Sequence, residues 1–222
     1  MRSAALLAAA LACASAPAGR PAAPLASPSA PDEGELAERC ARGFAPECRD
    51  LGRARLAASP PDVRLAAALL TQACEIGDAA ACSDVAVLYA IGRGVPQSDD
   101  RAAALARRGC EQGSAIACSN QGALLAEGAA RPNPGEPREA LGARIVRLFR
   151  AACDAGVPEG CANLGTALEA GKLAARDLRA AARAHRRACD GGLALACHRL
   201  AGLASAHPEV APDLGAAALE AR

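Results

Sequence analysis

QACEIGDAAACSDVAVLYAIGRGV, residues 72 to 95, carries Cys74 and Cys82 with seven residues between them and Gly77 three places after the first. The interval recurs along the 222-residue chain. Apart from Cys13, the cysteines form five C-x7-C pairs: Cys40 with Cys48, Cys74 with Cys82, Cys110 with Cys118, Cys153 with Cys161, and Cys189 with Cys197. A glycine follows every first cysteine by three residues, at Gly43, Gly77, Gly113, Gly156 and Gly192. Successive first cysteines stand 34, 36, 43 and 36 residues apart, which marks a repeat array.

Each second cysteine opens a helical stripe at three, four and seven residues beyond it: Val85, Ala86 and Tyr89; Gln121, Gly122 and Leu125; Leu164, Gly165 and Leu168. This is one buried helix face, with a small residue at the fourth place that lets a neighbour approach. We call these the A helices, and Gly92, Gly128 and Gly171 should end them. Asp62, Ser98 and Asp177 stand twelve residues ahead of Cys74, Cys110 and Cys189, where an N-cap belongs, and the alanine-rich runs that follow are strong helix formers. These B helices close at the glycine after their cysteine, because the residue past a helix end commonly takes positive φ. Glycine then turns the chain into the next A helix, giving antiparallel αα hairpins. The fold class is therefore all-α, an αα-hairpin repeat solenoid with one disulfide per repeat junction.

Ala73, Ala81, Ala117, Ala152, Ala188 and Ala196 flank the cysteines, and small neighbours let helices come closer than the usual 8–10 Å, as a disulfide requires. The third unit is seven residues longer than its neighbours, a length that either a loop with Pro132, Pro134 and Pro137 or two extra helical turns can absorb. Residues from His207 onward read as a last B helix without a cysteine, suited to a terminal cap.

Residues 1–16 have the layout of an export signal, with Arg2 ahead of a short apolar run and small residues around Cys13. Two processing readings fit: a lipobox at Ala10-Leu11-Ala12-Cys13 with Cys13 lipidated, or ordinary signal-peptidase cleavage nearby. Ten cysteines pair among themselves, and a lipid would account for Cys13. Residues 17–34 are a proline-, alanine- and serine-rich linker, and 35–222 form the repeat domain. The expected location is thus outside the cytoplasm, in a bacterial cell envelope or secreted, with membrane attachment only through an N-terminal lipid. A net charge of +1, from 25 basic and 24 acidic residues, leaves no basic stripe along the chain and argues against nucleic acid as a partner.

The unit from Cys82 to Cys118, with Tyr89, Gly92, Gly94 and Val95 as its clearest marks, resembles a Sel1-like repeat. The added cysteines make it similar to the Helicobacter cysteine-rich proteins, and a mitochondrial respiratory assembly factor is similar in type. The resemblance implies a TPR-like right-handed superhelix that binds a partner protein. It also implies a check on penicillin binding and β-lactam hydrolysis, which have been credited to those relatives.

Structural zinc is the rival use of the cysteines, with His185, His198 and His207 as further ligands, and free redox-active thiols are a third. An odd number of x7 pairs along a solenoid cannot combine two by two, so the five disulfides are the reading we carry forward. For hydrolysis, S-x-x-K, H-E-x-x-H and G-x-S-x-G are absent, and Lys172 is the sole lysine. The preferred function is a non-catalytic scaffold, without metal or cofactor, that binds a protein, peptide or envelope ligand. A β-lactamase-like enzyme and a structural envelope spacer are the alternatives. Tyr89, Arg55 and Arg93 are the candidate contacts, since binding hot spots favour tyrosine and arginine. Packing between helices is the ordinary alternative for Tyr89.

Overall fold

A computed structural model describes residues 32–210. Cys13, the export signal, nearly all of the linker and the part of the expected C-terminal cap helix beyond Val210 lie outside these residues. Among the described residues there are ten helices and no strand: α1 Glu33–Ala41, α2 Ala45–Ala57, α3 Val63–Ile76, α4 Ala79–Ile91, α5 Asp99–Glu111, α6 Ala115–Ala126, α7 Arg138–Asp154, α8 Pro158–Ala170, α9 Leu178–Asp190 and α10 Ala194–Ala206. Even-numbered helices are the A helices and odd-numbered ones the B helices. The first begins inside the stretch assigned to the linker, because Asp32 accepts a hydrogen bond from the Glu35 backbone N–H at 2.8 Å and caps it.

The motif has a geometric cause at the bend. Gly77, at φ +119°, donates its N–H to the Cys74 carbonyl, and the next residue, Asp78, donates to the Ala73 carbonyl. Together these form the Schellman end of a helix, in which the first cysteine is the residue C2 and the glycine is C′. Asp78 is at once the N-cap of α4, accepting from the Ala81 N–H at 2.8 Å, while its carbonyl receives the Cys82 N–H. One residue therefore both ends one helix and starts the next. Gly43, Gly113, Gly156 and Gly192 repeat the two backbone bonds at the other four bends.

The two cysteines fall within one turn of the bend on facing helices, and all five are joined with Cα atoms 4.4–4.7 Å apart. The residues just before each cysteine also face one another. They are alanine or glycine in four hairpins, and Gly160 lies so close to Ala152 that a Cβ there would come within 2.5 Å of the alanine's own. In the first hairpin an Arg39–Glu47 ion pair takes their place.

Consecutive helices pack into two core clusters, one from Cys40 to Leu88 and one from Ala86 to Val210, with Tyr89 and Leu105 packed against both. In three repeats the small residue four past a second cysteine lies under a larger one on the following B helix: Gly52 under Leu70, Gly122 under Phe149 and Gly165 under His185. Ala86 in α4 and Ala106 in α5 are both small and buried. The long third unit uses both expected routes. Its connection from α6 to α7 has eleven residues against seven between α4 and α5, and α7 has 17 residues against 13 in α5 and α9.

Close approach and helix propensity make opposite demands on glycine, and two positions separate them. A Cβ on Gly109 would meet the Ala117 Cβ at 2.8 Å and the Ala79 carbonyl oxygen at 2.9 Å, whereas one on Gly202 would meet nothing within 4 Å. Gly202→Ala should stabilise the protein by about 0.5–1 kcal/mol through propensity alone. Gly109→Ala should lose about 1–3 kcal/mol through overpacking. Urea unfolding of both variants checks this; equal stabilisation by both would show that the helices do not need the space.

Candidate functional site

Successive A helices pack on one another, α4 on α6 and α6 on α8, and no pair of B helices does so to a comparable extent. The A helices thus form the inner wall of the array. A polar ladder runs across it. Asn120 Nδ2 in α6 donates to Ser83 Oγ in α4 at 3.0 Å, and Asn163 Nδ2 in α8 donates to Ser119 Oγ in α6 at 3.2 Å. Both asparagines stand two residues past a second cysteine, so the repeat places them in register. At the N-terminal end the ladder is ionic: Arg53 Nε in α2 meets Asp84 Oδ2 in α4 at 2.6 Å, and Arg49 meets the α4 cap Asp78 at 2.8 Å.

Between the rungs the wall is apolar. A shallow cleft of about 120 Å³ between α4 and α6 is lined by Val87, Ala90, Asn120, Ala123 and Glu127. A second, of about 250 Å³, lies between α6 and α8 over Phe149, with Asn163, Thr166, Ala170 and Lys172 around it. Ala123 and Glu127 line both, so the two clefts adjoin. With Nδ2 committed to a serine, each asparagine offers its Oδ1 as an acceptor, which suits a backbone N–H of a bound chain. Val87 and Ile91 on α4 remain exposed.

The three contacts expected from sequence lie elsewhere. Tyr89 is half-buried between the two core clusters; its hydroxyl accepts from Arg101 Nη1 at 3.1 Å, and that guanidinium lies 5.4 Å from the ring centroid. Arg55 pairs with Glu33 at 2.7 Å, and its Nε is buried without a hydrogen-bond partner. Arg93 is exposed in the turn after α4. None of the three lines either cleft. Sequence reading missed the asparagines because their register emerges only when consecutive A helices are laid side by side; their shared offset from the cysteine was the available signal.

The histidines do not gather. Among the described residues no group of three or more His, Cys, Asp or Glu side chains could hold a metal ion, and the five pairs of sulfurs are all consumed in disulfides. The buried serines Ser83 and Ser119 meet asparagine amides, and Ser98 and Ser114 cap helices. His207 pairs with Glu209 at 3.1 Å and His198 is exposed. His185 is fully buried, with Nε2 3.2 Å from Glu169 Oε2 and Nδ1 without a partner. It fills the core position that Leu70 and Phe149 hold in other repeats.

Burial pushes the His185 imidazole below its ordinary value; the hydrogen bond and charge of Glu169 oppose this, and the charge of Arg199 adds to it. A depressed native value means that the unfolded chain binds the proton more readily. The stability due to neutral His185 is therefore complete above pH about 6.5 and drains away as pH falls through the lower native value. Unfolding free energy should drop on acidification from pH 7 to 5, before the carboxylates protonate, and His185→Leu should remove most of that slope. Urea melts at a series of pH values test it.

No protein-family model and no curated protein matches the sequence. Solved structures do resemble it. A protective antigen present in uropathogenic Escherichia coli strains, described as displaying an SLR fold, superposes with a TM-score of 0.66 at 23% identity, covering 79% of this chain and 37% of that one. A Sel1 repeat protein from Oxalobacter formigenes gives 0.67 at 19% identity, covering 77% of this chain and 66% of that one. The chain thus spans between a third and two thirds of the length of these proteins, and it has the Sel1-like repeat fold.

Proposed function

We propose that the protein is a non-catalytic scaffold that works outside the cytoplasm and grips an extended segment of a partner protein along the wall formed by α4, α6 and α8. One observation carries the reading: Asn120 and Asn163 occupy the same repeat position, each pinned by a serine of the preceding A helix, above adjoining apolar clefts. An extended chain advances about 3.3 Å per residue and neighbouring helix axes lie about 8–10 Å apart, so the asparagines of α6 and α8 meet backbone amides about three residues apart. Ala90, Ala123 and Ala170 leave room for intervening side chains. Five disulfides support an oxidising compartment. Among the described residues no helix is long and apolar enough to cross a membrane, and a lipid on Cys13 would supply an anchor.

A displayed random-peptide library tests the grip. The oxidised protein should enrich one sequence pattern, and Asn120→Ala combined with Asn163→Ala should weaken the selected peptide at least tenfold while leaving the thermal midpoint within a few degrees. Arg93→Ala should bind as the parent does. Enrichment that survives the double substitution would place recognition on another face.

A further inference from the structure

The wall formed by the A helices carries charge at its C-terminal edge. Glu127 is the residue that closes α6, and Lys172, the sole lysine of the chain, follows the glycine that closes α8. Both border the cleft of about 250 Å³ over Phe149, and they are the only charged residues of its lining. Both are exposed, and among the described residues neither side chain has an ion-pair or hydrogen-bond partner. Glu127 also borders the cleft between α4 and α6, where no other charge stands. On the far side of Lys172 the surface continues with Arg138 and Glu139, whose charges cancel. The place of Glu127 runs against local preference, because a helix C-terminus is the negative end of the dipole and favours a cation. A basic group arriving from a ligand removes that mismatch.

Register fixes where these charges stand relative to the asparagines. Glu127 is seven residues past Asn120, two turns along the same helix face and about 10 Å nearer the helix end. Lys172 is nine residues past Asn163, just beyond the end of α8, and its flexible four-carbon stem can reach back along the cleft. A chain held at both asparagines therefore passes both charges at the reach of a long side chain. Three residues of polyproline II advance about 9 Å and complete one turn, so every third side chain returns to the same face at a pitch that matches the 8–10 Å between neighbouring helices. We propose that Glu127 and Lys172 set the charge pattern of the gripped segment, an inference that rests on the A-helix wall being the grip. The bound chain lies in polyproline II conformation, with an arginine or lysine over Glu127 and a glutamate three residues away over Lys172. Between them an apolar side chain enters the cleft over Phe149.

A displayed random-peptide library, panned on the intact, oxidised protein and on the variants Glu127→Lys and Lys172→Glu, tests the pattern. The parent should enrich one basic and one acidic residue three positions apart. Glu127→Lys should instead enrich two acidic residues at that spacing, and Lys172→Glu two basic ones. The parent's selected peptide, made synthetically, should bind each variant at least tenfold more weakly, and exchanging its basic residue for glutamate should restore binding to Glu127→Lys. Lys172→Arg should keep the parent's affinity within threefold, with circular dichroism unchanged in every variant. Enriched peptides that need Asn120 and Asn163 but lack the charge pair, or that bind the two charge variants as they bind the parent, would overturn the charge pattern and leave the grip standing. Failure to enrich any pattern, or enrichment indifferent to the two asparagines, would overturn both.

Discussion

Everything in this fold follows from a bend in which one residue closes a helix and opens the next. The glycine at C′ sends its N–H to the first cysteine's carbonyl, and the following residue caps the A helix, so the spacing between the cysteines is the spacing of the turn itself. Cα separations of 4.4–4.7 Å then bring two helices far closer than ordinary side chains allow. Alanine or glycine stands beside the junction in four hairpins, and the Arg39–Glu47 ion pair does so in the first. A core of alanines buries little area, and each staple closes a loop of about nine residues for roughly 2.5 kcal/mol in the chain-entropy model. Five together are comparable with the 5–15 kcal/mol that holds a typical domain.

Variation on this frame produces the features that can recognise something. The glycine under Leu70, Phe149 or His185 shows one socket taking three different side chains. In the last of them a buried imidazole replaces a hydrocarbon and makes that junction sensitive to acid. The inner wall carries amides and alanines, and single charges of opposite sign border the cleft between α6 and α8. A solenoid can hold such different surfaces because each repeat needs only its neighbours for support.

The frame was legible in the sequence because its constraints are local. The cysteine interval, the turn glycines and the caps Asp62, Ser98 and Asp177 act within one hairpin, the socket glycines act between helices consecutive in the chain, and all stand where the pattern places them. Residues whose meaning depends on the next repeat were not legible. Asn120 and Asn163 gain partners only across A helices, and Glu127 and Lys172 border one cleft only because α6 and α8 pack together. Tyr89 drew attention as an aromatic in a chain with few, yet its ring is spent between two core clusters under Arg101. His185 looked like a spare metal ligand because a histidine's burial cannot be read from its type.

Circular dichroism melts of the protein before and after complete reduction, with ten free thiols counted on the described repeats, test the staples most directly. The account predicts a cooperative helical transition in the oxidised protein and, once reduced, loss of that transition or a fall in its midpoint of at least 20 °C. A reduced chain that melts cooperatively within a few degrees of the oxidised one would contradict it, and would show that the alanine helices hold together on their own.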